Sequence, residues 1–400
     1  MHLLCSVLSS SPEETSSTDD DEDENDSSSS SVVAEENHQQ QQVVPTSFRD
    51  ALACHLYMLF SAQSTLESEV KHADKPTNRG RSKSKNKDTC LEETVFAEAR
   101  ENCATAMLVA ATIMGKCISR LWKRAVPDED IVALPCRVAY QMLENSNGVN
   151  ARKASSGSAA LQIIAATVDS VPCLMNTIVA ALVDLLHSCE HMAALVAELC
   201  CLVCEVPNNS LANELLREIG RMDTRANTAS GNDANGKASG IKNVAPFISE
   251  LAAVRPRIVL ASISVILPHL DSEPYNLRSS ILNAIGHIIV ETVKTEKQGM
   301  TNSETSAITN TTSDEDENST GVKSASIDFK KSRDALLDVL TERVYDVTSF
   351  TRVAALKTWA HLISMDCLPL NRVLSVTELA IDRLQDKASS VRRNAMQVSI

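Results

Sequence analysis

Three stretches in the last third of the sequence follow one pattern, and the distance between them restricts the fold more than any other feature. Asp271 with Arg278, Asp346 with Arg352 and Asp386 with Arg392 each introduce an amphipathic run: RSSILNAIGHII, RVAALKTWAHLI and RRNAMQVSI. Arg352 and Arg392 are 40 residues apart; Arg278 and Arg352 are 74 apart, and setting aside the polar tract 295–328 (34 residues) restores 40. Positions +3, +4, +7 and +10 from the Arg are Ile281, Leu282, Ile285 and Ile288 in one unit and Ala355, Leu356, Trp359 and Leu362 in the next. That spacing predicts one buried helical face per unit.

A period of about 40 residues built from helix pairs is the sequence sign of HEAT or armadillo arrays, whose repeats share one continuous core. The predicted fold class is therefore all-α, a HEAT-repeat α-solenoid. Composition agrees: apolar residues make up 43% of the 400, aromatics only 3%, so burial falls to Leu, Ile, Val, Ala and Met. That profile suits stacked helices better than a β-sandwich.

The net charge of -14 is concentrated, because 11 acidic residues and no Lys or Arg lie between Ser11 and Gln42, and the remainder carries -3. Acidity as such neither favours nor excludes nucleic acid as a partner. The twelve cysteines sit in apolar runs such as LCCLVC (199–204) and read as small hydrophobes in a reducing interior, cytosol or nucleus. The first ten residues lack a basic region followed by a long apolar one, and no run approaches the roughly 18 apolar residues of a membrane span.

Residues 1–46 are expected to be a disordered acidic tail, too polar to offset the entropy of ordering. A helical region of hairpins follows over 47–221, with a polar break at about 71–89 and helices at about 152–168, 172–187, 190–205 and 210–221. Pro127, Pro135 and Asn147-Gly148 punctuate its middle. Residues 222–244 read as a linker, and HEAT repeats occupy 245–400 with 295–328 extruded between them as a disordered insertion. In those repeats a helix is expected at Ala245–Val254, then 257–270 with Pro256 at its start, then 276–293. The helical pattern is still running at Ile400, which reads as a fragment truncated inside a repeat.

Each Asp falls in the turn before the second helix of a pair, where a carboxylate can cap exposed N–H groups, and the Arg follows about one turn inside. A constant period would let the Arg of one unit reach the Asp of its neighbour. Asp271, Arg278, Asp346, Arg352, Asp386 and Arg392 are accordingly read as structural markers of the repeat rather than as ligand-binding residues.

The blocks FISELAAVRPRIVLASISVILPHLDSEPYNLRSSILNAIGHIIVE (247–291) and ERVYDVTSFTRVAALKTWAHLISMDCLPLNRVLSVTELAIDRLQDKASSVRRNAMQ (342–397) resemble the HEAT core of the non-SMC subunit 1 family of condensin. LVDLLHSCEHMAALVAELC (182–200) and NELLREIGRMD (213–223) resemble it less specifically, and the equivalent condensin II subunit shares the architecture. The resemblance implies a regulatory, non-catalytic subunit that grips the kleisin subunit, works with the SMC ATPase pair and assists engagement of chromosomal DNA or chromatin. It further implies a place in the nucleus and on mitotic chromosomes, with cytoplasm possible in interphase. The alternative is a HEAT-repeat adaptor or nuclear-transport receptor holding peptide cargo, since fold alone does not separate these.

Catalytic, cofactor and metal residues are not predicted. The sequence has no GxxxxGK[ST]. His187 and His191, with Cys200, Cys201 and Cys204, have ligand chemistry, but HSCEH is not HExxH and Cys-rich helices are more simply buried. Arg79, Arg81, Lys83, Lys85 and Lys87 form an alternating basic tract, a candidate for phosphate contact or nuclear import. Lys330, Lys331, Arg333, Arg392 and Arg393 are further candidates for DNA contact at helix starts. Ser11 precedes Pro12 as a candidate phosphorylation site, where added charge would deepen the tail's repulsion from DNA.

Overall fold

The computed structural model describes residues 46–73, 95, 97–112, 129–145, 155–203, 211–222, 234–272, 274–307 and 319–398. The chain divides into two compact units, Met1–Val138 and Ala139–Ile400. All regular secondary structure among the described residues is helical.

In the first unit, α1 (Thr46–Ala73) buries Leu56, Phe60, Gln63 and Glu67 on one stripe, and α2 (97–112) buries Ala104, Met107, Ala110 and Ala111. Glu67 would be costly on that stripe without a partner. Arg100 of α2 supplies one, with Nη2 donating to Glu67 Oε2 at 2.7 Å, while Gln63 Nε2 donates to Oε1 at 3.0 Å. α3 (Glu129–Glu144) follows, and Pro135, read above as punctuation, lies inside it.

The second unit contains α4 (Ser155–Ser170), a short 3-10 turn, α5 (Met175–Ser188), α6 (Met192–Val203), α7 (Leu211–Arg221) and α8 (Ala234–Val254). The 257–270 helix anticipated from sequence is broken into α9 (Pro256–Ala261), α10 (Ile263–Ile266) and a 3-10 turn (Leu267–Asp271). Then come α11 (Tyr275–Ala307), α12 (Ser319–Arg343), α13 (Ser349–Ser364), α14 (Leu370–Arg383) and α15 (Ser389–Val398).

The packing order identifies the architecture. α4 packs on α6, α6 on α8, α8 on α11, α11 on α13 and α13 on α15, while α12–α13 and α14–α15 close as hairpins. Each hairpin touches its neighbours in sequence, which is the order of a HEAT-repeat α-solenoid. The eight repeat-spaced apolar residues from Ile281 to Leu362 are at most 1% exposed. Their burial needs close backbone approach, and Gly286 permits it: a Cβ there would lie 2.8 Å from Thr358 Cγ2.

The helices also run further into polar sequence than composition predicted. α8 begins at Ala234, inside the stretch read as linker, and Ile241 and Val244 are buried. α11 continues through 295–307 and α12 begins at Ser319, so both ends of the tract read as a disordered insertion are helical. Thr295, Glu296 and Lys297 all bond to neighbouring elements, the last two as ion pairs with Arg333 and Asp366. Residues 1–45, the rest of the acidic tail, and 74–94 lie outside the described residues.

No single helix among the described residues is long and apolar enough to cross a membrane. The pair that approaches that composition, Ser158–Ser170 with Pro172–Ser188, is bent by 112°. Its apolar residues, including Ile163, Ile164, Leu182 and Leu186, are buried in the second unit.

Candidate interaction edge

The turns that join the two helices of each repeat carry the Asp and Arg residues and lie along one edge of the second unit. Asp346 Oδ1 accepts the Thr348 amide at 2.8 Å, and Asp386 Oδ1 accepts the Ala388 amide at 2.9 Å. These bonds satisfy donors at the start of α13 and α15 that have no partner within the helix. Inside the same turns, Arg352 Nη1 donates to the carbonyls of Asp346 (2.8 Å) and Val347 (3.1 Å). Arg392 Nη1 donates to those of Asp386 (2.8 Å) and Lys387 (3.1 Å), the same two bonds at the same two distances.

With Nη1 fixed in this way, the Arg352 fork faces the next unit. Nε and Nη2 each donate to the Asp386 carboxylate at 2.9 Å, a bidentate pair. Burial pushes the Asp386 carboxyl up, but the Arg352 bonds, the Ala388 amide and the charges of Arg352 and Arg383 together hold it below the ordinary carboxylate range. The preceding rung is looser: Arg278 Nη2 lies 3.5 Å from Asp346 Oδ1 and donates to Thr348 Oγ1 at 3.2 Å. Asp271 is bound differently, accepting from Arg343 Nη2 at 2.8 Å while Arg343 Nη1 donates to the Leu270 carbonyl at 3.1 Å.

Sequence reasoning passed over Arg343, although Arg343 and Arg383 both stand three residues before a repeat Asp and 40 apart. Arg383 lies 4.6 Å over the Tyr345 ring, and Tyr275 stacks on Phe350 across adjacent repeats with centroids 4.6 Å apart. Tyr345, Arg352, Arg383, Asp386 and Lys387 help to line a cleft of about 550 Å³ along this edge.

The candidate basic residues separate. Arg79, Arg81, Lys83, Lys85 and Lys87, and also Ser11, lie outside the described residues. Arg333 is bound to Glu296 at 2.8 Å and Arg392 to the two carbonyls, so both serve the fold. Lys330, Lys331 and Arg393 are exposed, with no ion pair formed among the described residues.

His191 Nε2 donates to the Leu143 carbonyl at 3.1 Å, Cys201 Sγ donates to the Ala197 carbonyl, Cys200 is buried and Cys204 lies outside the described residues. Burial pushes the His187 imidazole down, against the opposing charge of Asp184. Among the described residues no three His, Cys, Asp or Glu side chains are grouped to hold a metal ion.

Comparison with known proteins adds a second line of observation. The family model described as "non-SMC mitotic condensation complex subunit 1, N-term" matches residues 1–171. Condensin complex subunit 1 of Xenopus laevis is 29% identical over 282 residues, covering 70% of this chain and 18% of the relative. The mouse protein of that name is 26% identical over the same shares, and that of Schizosaccharomyces pombe 23% identical over 72% of this chain and 22% of its own. The chain thus spans about a fifth of the length of the relatives it matches.

Proposed function

We propose that this chain, which is similar to condensin complex subunit 1 over 282 residues and matches that family's N-terminal model over residues 1–171, supplies a HEAT-repeat portion of a condensin non-SMC subunit, binding the kleisin subunit and assisting DNA engagement in mitotic chromosome condensation. The observation that carries the proposal is the coincidence of a match over 282 residues with a nearest-neighbour stack of helical hairpins. Such a stack offers a long surface for an extended partner and alters curvature by small changes at each inter-repeat contact. The role is non-catalytic: the polar residues of the repeat edge are engaged in capping turns and joining units. The ATPase step falls to the SMC pair, and the place of action is the nucleus and the mitotic chromosome.

Co-expression of the 400-residue chain with kleisin and SMC segments, followed by size-exclusion chromatography, tests the partner assignment. Co-elution with the kleisin segment is expected, and its failure with a folded chain overturns the assignment. DNA contact through Lys330, Lys331 and Arg393 predicts salt-sensitive duplex binding, with the slope of log affinity against log salt falling by about one for each phosphate contact removed. Absence of salt-sensitive binding in a gel shift would remove these residues from the interface.

A further inference from the structure

Of the arginines at the turns, Arg278, Arg343, Arg352 and Arg392 all donate hydrogen bonds, and Arg383 donates none among the described residues. Its Nε is buried without a partner, and its Nη1 stands 3.7 Å from Asp386 Oδ2, an oxygen that already accepts from Arg352 Nε at 2.9 Å. Arg343, 40 residues earlier, shows what this position of the repeat takes: Nη2 donates to Asp271 of the preceding turn and Nη1 to the Leu270 carbonyl. The matching acid one repeat on, Asp346, is withdrawn into its own turn, where it accepts from the Thr348 amide and hydroxyl and faces Arg278. Arg383 lies instead 4.6 Å over the Tyr345 ring, which supports one face of the guanidinium at the wall of the cleft of about 550 Å³.

We propose that this cleft binds a linear peptide segment through one carboxylate side chain, with an apolar residue next to it in the peptide. Charge sets the class of occupant. Of the six charged residues that line the cleft, Arg352 is paired with Asp386 and Asp346 with Arg278, which leaves Arg383 and Lys387 against Asp382. One surplus positive charge suits one carboxylate, which takes the vacant guanidinium donors as Asp271 takes those of Arg343. A nucleic acid strand, with a phosphate at every nucleotide, would press its further charges on Asp382, Asp346 and Asp386. The apolar neighbour has a place to go: Tyr345 and Val347, in the turn on one side of the cleft, are 55% and 93% exposed. Both walls are turns of the described chain, 344–348 and 384–388, so the site is complete within two repeats, and the reading does not rest on the kleisin assignment.

The probe is the fluorescein-labelled peptide GSGELGS, titrated with the 400-residue chain and followed by anisotropy. Saturable binding is expected, at least about tenfold weaker for GSGQLGS and for Arg383→Ala, because a charge-assisted bond to the guanidinium is lost in each. Arg383→Lys keeps the charge beside Asp386 but not the fork, and should recover only part of the affinity. It becomes the deciding variant if circular dichroism shows that the alanine variant has lost its fold. The proposal is overturned if binding does not saturate, if the two peptides bind equally, or if a folded Arg383 variant keeps full affinity. It is overturned as well if oligothymidylate displaces the probe at a lower concentration than unlabelled GSGELGS does, since phosphate would then be the better ligand.

Discussion

Cutting the Arg352–Asp386 rung should show how much one inter-repeat contact holds. The Asp386 side chain is 4% exposed and that of Arg352 14%, so solvent screens the pair little. Arg352→Ala deletes both guanidinium bonds and leaves the carboxylate with the Ala388 amide and with Arg383 at 3.7 Å. Leaving one partner of a buried pair uncompensated costs about 3–5 kcal/mol, and the remaining Arg383 attraction places the loss at the lower end. A cycle of Arg352→Ala, Asp386→Ala and the double variant should give a coupling energy of about 2–3 kcal/mol. The rung from Arg278 to Asp346, a single approach at 3.5 Å, is the internal control and should couple by about 1 kcal/mol or less. Urea unfolding followed by circular dichroism, with amide exchange resolved over α13 to α15, measures both cycles while allowing for repeats that open one at a time. Coupling for the 352/386 pair no greater than for the 278/346 pair would refute the reasoning. The sign with pH also follows. The folded-state pKa of Asp386 lies below its unfolded value of about 3.9, so the contribution is fully present above that value. It disappears as pH falls through the folded pKa, and Asp386→Asn should flatten that acid limb.

Gly286→Ala should destabilise by about 1–2 kcal/mol in a thermal melt despite its better helix propensity, because the new Cβ presses on Thr358 Cγ2. Adding Thr358→Ser removes that methyl while keeping an Oγ for the Leu282 and Ala354 carbonyls, and should reverse the loss. Asp366 holds a left-handed backbone (φ 52°) after α13, so Asp366→Gly should raise stability by up to about 1 kcal/mol, since the ion pair lost to Lys297 is exposed and adds little. Glu67→Gln should cost about 3 kcal/mol or more by stranding Arg100, read as early loss of helical signal from the first unit, and Glu67→Asp should not rescue it because its reach is shorter.

The repeat and its edge were legible because three constraints recur together: a period, a capping acid and a basic residue one turn on. Arg352 and Asp386 stand 34 residues apart in sequence, and their side chains meet. Arg343 was legible in principle, from its 40-residue echo in Arg383, but its partner Asp271 lies 72 residues back with no local signal linking the two. The ends of α8 and α11 were not legible. Polar, helix-favouring sequence such as KTEKQ marks no stopping point, and once a helix is nucleated each further residue adds its bond at little cost. The Tyr275–Phe350 stack was hidden for a related reason: neither ring belongs to the buried face that the periodicity reports.

The Glu296–Arg333 contact ties the outgoing helix α11 to the returning helix α12 at the foot of the intervening tract. A span of chain that departs and re-enters at one clasp can lengthen, shorten or gain a modification without shifting the stride of the hairpins on either side. Natural variation should therefore concentrate there, while the distance from Arg352 to Asp386 stays constant.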